Sequence, residues 1–221
     1  ILGPADWLPE NYLVETIWQD EAAQHAWAEM WQFTAQRYHA SPVVIGYDLM
    51  CEPNSNASLN IWDPETFQAT YAGTNYDWNQ WYPDIVQAIR SVDAETPILI
   101  GGNGYSDPAW LPFLKPLDAS HIIYTMHAYA PHPYTHQEIP NPLHTYPGFF
   151  DVDYDGKPDR FDHAWLEESF AEARNFQQQL NLTLAVNEFG LVRWAPNAPH
   201  YISEDRKSIR LNSSHRIRTR M

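Results

Sequence analysis

Short apolar runs rich in β-branched residues alternate along this chain with longer stretches whose apolar positions recur every three or four residues. The spacing of Trp27, Met30, Trp31, Thr34 and Tyr38 predicts a helix over 20–39 with those residues on one face. Ser41-Pro42 ends it, because a residue before proline avoids the helical region. Residues 43–50 then read as a buried strand, and a loop follows through 54–62. A helical stretch over 77–93 carries Ile85, Val86 and Ile89 inward, with a kink or fresh start at Pro83. Further strands are predicted at 97–100, 121–126 and 182–186, and a helix at 162–180 with Asp162 as its N-cap. This alternation predicts an α/β fold with a parallel sheet and crossover connections.

Polar residues gather just past the strand ends: Glu52, Asn103, His127, Tyr129 and Glu188. Parallel sheets keep their reactive groups at that edge. Two glutamates stand out, each closing an apolar run: Glu52 before Pro53, and Glu188 before Phe189-Gly190. A pair of carboxyl groups on one edge is what glycoside hydrolysis requires.

Composition narrows the partners. Thirteen basic against 28 acidic residues give a net charge of −15, which argues against nucleic acid. No 18-residue apolar stretch marks a membrane span. Ten Trp and 13 Tyr, many set in loops among Asn, Asp and Pro, suit a groove that stacks on sugar faces. The single cysteine, Cys51, allows no intrachain disulfide. Ile1-Leu2-Gly3-Pro4 reads as the middle of a longer chain. The last 18 residues depart from the rest: 1–203 hold seven basic and 26 acidic residues, 204–221 six and two. Lacking apolar periodicity, 204–221 read as a basic, non-native or disordered tail, leaving 1–203 as the domain.

Two metal patterns need weighing. Asp151, Asp153, Asp155, Asp159 and Asp162, with Gly156 at the sixth position, follow the spacing of a calcium loop. The twelfth position is Asp rather than the longer Glu, and Pro158 interrupts the loop, so a solvated acidic loop competes with a structural Ca²⁺ site. His127, His132 and His136 lie in a proline-rich segment with no metal-binding helix to align them, which argues against metal catalysis.

The segment Gly46-Tyr47-Asp48-Leu49-Met50-Cys51-Glu52-Pro53 resembles the fourth strand of glycoside hydrolase family 5, the large cellulase family. Tyr124-Thr125-Met126-His127-Ala128-Tyr129 is similar to its sixth strand, and Asn187-Glu188-Phe189-Gly190 with Arg193-Trp194-Ala195-Pro196 to its seventh and the following loop. The resemblance spans 18–203. It implies part of a (β/α)₈ TIM barrel, from about the third helix to the seventh strand. It further implies a secreted, retaining endo-β-1,4-glucanase, monomeric when complete, acting on β-glucan polysaccharide or oligosaccharide without a cofactor. By that resemblance Glu52 is the acid/base and Glu188 the nucleophile; Tyr129 is suited to hold the nucleophile and His127 a sugar hydroxyl, and Cys51 and Trp194 would face substrate, Trp194 with loop packing as its alternative. Asn103, past its strand end, is a further substrate-binding candidate with a plain turn residue as its alternative. Cys51 stands where the family usually has Asn. The family's early strands and its eighth strand have no counterpart, and four strands cannot close an eight-stranded barrel. An exposed edge and a tendency to aggregate are therefore expected. A β-mannanase, a β-1,3-glucanase and a non-catalytic carbohydrate-binding protein on the same scaffold are the alternatives.

Overall fold

The computed structural model describes residues 15–139, 141 and 143–211. In chain order it runs from a 3₁₀ turn at Glu15–Trp18 into α1 (Glu21–Tyr38), β1 (Tyr47–Asp48), α2 (Ser55–Ser58) and α3 (Pro64–Tyr71). A 3₁₀ turn at Trp78–Gln80 leads to α4 (Tyr82–Arg90), β2 (Ile98–Gly101), a second such segment at Pro108–Phe113, and β3 (Ile122–Ala128). Then come α5 (His132–Thr135), β4 (Gly148–Phe150), β5 (Asp159–Phe161), α6 (His163–Ser169), α7 (Ala171–Leu180), β6 (Leu184–Phe189) and α8 (Ala198–Leu211). Among the described residues no helix is long and apolar enough to cross a membrane.

Four strands form one sheet in the order β1-β2-β3-β6, and every pairing is parallel. Helices α1, α4 and α7 supply the layer that packs on it. The core between them holds Trp27, Ala35, Tyr47, Leu49, Ile85, Ile89, Ile98, Ile100, Tyr124, Met126 and Phe176. This is the arc of a (β/α)₈ barrel, open at β1 and β6 among the described residues. A second cluster lies under the antiparallel β4–β5 hairpin, where Tyr134, Tyr146, Phe161, Leu166 and Tyr201 meet.

Several expectations are met and several are corrected. Asp20 caps α1, accepting from the amides of Ala22 at 3.0 Å and Ala23 at 3.2 Å. The buried face of α1 is Trp27 and Ala35, with Trp31 packed against the core, while Met30 and Tyr38 face solvent. Pro83 sits in the first turn of α4, so the fresh start is the outcome there. The strand predicted over 43–50 shrinks to two residues, because among the described residues it has a neighbour on one side only; Val43 and Ile45 are 83% and 86% exposed. The helix predicted over 162–180 divides at Phe170, whose ring is buried in the core. Ser169 Oγ donates to the Leu166 carbonyl at 2.9 Å, a local bond that competes with the helix ladder.

The boundary expected at 203/204 falls inside α8. Asp205 is 1% exposed, and Ser208 is buried as well. Tyr201, Asp205 and Ser208 follow helical spacing, so the buried stripe of α8 is carried on past 203 by polar residues rather than apolar ones. Ile1 to Pro4 and the chain beyond 211 lie outside the described residues.

Candidate active site

A bulge sets the geometry. β3 and β6 pair regularly up to Met126 and Val186, after which His127 pairs with Glu188 and Asn187 is the extra residue. A bulge re-aims the side chains beside it. It puts His127 and Glu188 side by side at the carboxyl end of the sheet. Asn187 Nδ2 donates to Asp48 Oδ2 at 3.3 Å, tying β6 to the β1 segment across the sheet's open face.

Glu52 lies four residues beyond β1, on a loop held by its neighbours. Ser106 Oγ donates to the Cys51 carbonyl at 3.1 Å, and the Tyr105 amide to the Pro53 carbonyl at 2.9 Å. Asn103 Oδ1 accepts from the Ser55 amide at 3.0 Å, and Asn56 Oδ1 from the Gly104 amide at 3.2 Å. Gly104 is required here: its φ is +66°, and a Cβ would strike the Trp110 indole. The loops after β1 and β2 thus brace each other and fix where Glu52 stands.

Both carboxylates reach one nitrogen. His127 Nδ1 is 2.8 Å from Glu52 Oε1 and 3.5 Å from Glu188 Oε2. Their nearest oxygens therefore lie no further apart than those two distances combined. His127 is 3% exposed, while both glutamate side chains are about a third exposed and open to solvent. Each oxygen of Glu188 also has its own donor. Tyr129 OH donates to Oε2 at 3.1 Å, and Cys51 Sγ to Oε1 at 3.1 Å. Burial, then the neighbouring Glu188, pushes the Tyr129 phenol up to about 12. Burial and the bond to Glu188 push the Cys51 thiol to about 12 as well. Both groups stay protonated at neutral pH and donate. Burial also raises the Asp48 carboxyl, against the opposing effect of His127.

Of the residues singled out from sequence, Glu52, Glu188, His127, Tyr129 and Cys51 converge. Asn103 does not join them; it is buried in the loop scaffold, braced on Ser55. Trp194 lies on the loop after β6, its indole donating to the Gln137 carbonyl at 2.9 Å and its ring 42% exposed. Asp48 and Asn187 were not foreseen, though Asp48 shares the alternate-residue face of Glu52. Trp62 was missed too: it is exposed and stacks on Tyr105 at 6.2 Å between ring centroids, beside Pro53. An aromatic set among Asn and Asp residues was the available signal.

The acidic loop is assembled only in part. Asp151, Asp153 and Asp155 bring carboxylate oxygens within 4.8 Å of one another. Asp159 instead pairs with Phe150 in the hairpin, and Asp162 caps α6 while binding Arg160 at 2.5 Å. The five-ligand set expected from spacing is thus split between a loop, a strand and a helix cap.

With this geometry in view, the comparisons with known proteins are specific. The family model for cellulase (glycosyl hydrolase family 5) matches residues 6–215. Endoglucanase C of Acetivibrio thermocellus is 28% identical over 129 residues, covering 58% of this chain and 33% of that protein; Endoglucanase C307 of Clostridium sp. strain F1 gives the same figures. A hyperthermophilic endo-β-1,4-glucanase solved with substrate superposes with a TM-score of 0.68 at 18% identity, over 90% of this chain and 58% of that one. Cel5A of Thermotoga maritima, solved with mannotriose, gives 0.67 at 21% identity, over 90% and 59%. The match to the curated relatives thus spans a third of their length, and the chain covers under two thirds of these solved structures.

Proposed function

The chain belongs to glycosyl hydrolase family 5, and from that premise we propose that it carries the catalytic pair of a retaining endo-β-1,4-glucanase. The observation that carries this reading is the shared contact of Glu52 and Glu188 with His127 Nδ1, at 2.8 and 3.5 Å. Holding both carboxyl groups on one imidazole nitrogen supports the close pair of double displacement over the wider gap, roughly 6.5–9.5 Å, in which an inverting enzyme seats a water.

Glu188 is the nucleophile. Donors on both of its oxygens hold it in one orientation, and Tyr129 reaches it from just past β3. It attacks the anomeric carbon and forms a glycosyl-enzyme ester. Glu52 is the acid: its Oε1 rests on the imidazole, which leaves its other oxygen to pass a proton to the departing glycosidic oxygen. In the second step Glu52 takes a proton from water, which displaces Glu188 from the sugar. Trp194 and Trp62 offer exposed rings for sugar faces, with half-buried Tyr105 stacked behind Trp62. No step calls for a cofactor. Activity belongs to the complete barrel that contains this chain, and a polymeric substrate of this class is met outside the cell.

The test is Glu188→Gln in the complete barrel, assayed on a soluble β-1,4-glucan. The expected loss in kcat is on the order of 10⁴-fold, and unchanged hydrolysis overturns the reading. A β-mannan arm runs beside it, because Cel5A of Thermotoga maritima was solved with cellobiose as well as mannotriose. A 2-fluoro-glycoside that labels Glu188 separates an enzyme from a non-catalytic sugar binder, since labelling requires a nucleophile.

A further inference from the structure

Cys51, His127 and Glu188 form a ligand set. One sulfur, one ring nitrogen and one carboxylate oxygen from these residues lie within 4.8 Å of one another. The separations that matter are shorter: Sγ to Oε1 is 3.1 Å, and His127 Nδ1 to Oε2 is 3.5 Å. Bonds of about 2.0–2.3 Å around a tetrahedral zinc put neighbouring ligand atoms roughly 3.3–3.7 Å apart. These two separations, each to a different oxygen of Glu188, lie near that spacing, and a single set of three donor atoms lies within 4.8 Å. Glu52 Oε1, 2.8 Å from the same ring nitrogen, offers a fourth oxygen.

Charge favours a cation at this point. Glu188 touches the Cys51 sulfur, and Glu52 and Glu188 share the ring nitrogen of His127. Among the described residues the only basic partner of Glu52 and Glu188 is His127; neither Lys nor Arg pairs with them. A dication entering here would neutralise charge on these carboxylates and displace the thiol proton as it binds sulfur. Donor type selects the ion. A thiolate and an imidazole favour zinc, cadmium or cobalt(II) over magnesium or calcium, which prefer oxygen alone.

We infer that Cys51, His127 and Glu188 form a binding site for a borderline-soft divalent metal ion of the zinc class. It is distinct from the acidic loop at Asp151, Asp153 and Asp155. The consequence for turnover rests on the function proposed above: an ion seated here engages Glu188 and blocks attack on the sugar, making the metal a reversible inhibitor. Binding itself is independent of that reading and is measured without substrate, so failure of one is distinguishable from failure of the other.

The test is titration of the full 221-residue chain with Co²⁺, followed by displacement with Zn²⁺ in a calorimeter. Cys51 is the only cysteine, so a thiolate-to-cobalt charge-transfer band in the near ultraviolet reports this site alone. One equivalent and that band are expected; C51A abolishes the band, and E188Q and H127N each weaken binding by roughly tenfold or more. Glu188 is partly exposed, so E188Q keeps the test decisive if the buried His127 variant loses its fold by circular dichroism. D153N leaves band and affinity unchanged. No band at millimolar Co²⁺, unweakened binding in E188Q, or loss of the band in D153N would each overturn the proposal.

Discussion

Glu188 is held by two unlike donors, a phenol just past β3 and a thiol from the β1 loop, and they need not contribute equally. A hydrogen bond to a charged group is worth about 1.5–3 kcal/mol, and a thiol is the weaker donor. Tyr129→Phe is therefore expected to lower kcat in the complete barrel by roughly 10- to 100-fold, with KM little changed; steady-state kinetics on a soluble glucan checks it. Asp205 makes a residue-scale prediction of a different kind. Burial raises its carboxyl from an ordinary 3.8 to about 7. The folded state thus favours the protonated form, so this contribution to stability is whole below pH 4 and is lost as pH climbs toward 7. Asp205→Asn is expected to stabilise the fold by a few kcal/mol at pH 8 and hardly at all at pH 4. Urea titrations at both pH values read this directly, and an equal effect at each would refute it. The two glutamates were legible in sequence because each closes a β-branched run. Asp205 was not, since a polar stripe leaves no hydrophobic period to see.

At the scale of elements, the parallel strands were legible and their ends less so. β2, β3 and β6 fall within a few residues of the runs that predict them, whereas β1 loses most of its length to the lack of a second neighbour. Helix α1 was found at both ends and on part of its face: Trp27 and Trp31 pack inward as expected, but Met30 and Tyr38 do not, and Ala35 takes the remaining buried position. The cap that marks its start is testable. Asp20→Ala removes an acceptor for two amides and is expected to cost about 1 kcal/mol in chemical denaturation, with the native spectrum unchanged. The β4–β5 hairpin and its cluster went unforeseen, because three-residue strands in an acidic loop carry too little pattern to register.

For the molecule as a whole, the sheet's open sides matter most. Val43 and Ile45 lie bare to solvent beside β1, which among the described residues is paired on one side only. Unpaired edges next to apolar surface promote association between chains. The chain alone is expected to self-associate, and Ile45→Lys to raise the monomer fraction in sedimentation velocity without altering the far-ultraviolet spectrum. A sheet that ends in two unmatched strands is also a socket. Polypeptide bearing the remaining strands of the barrel, expressed separately and mixed in, has two templates on which to dock. Such trans-complementation would let the two parts rebuild one closed barrel.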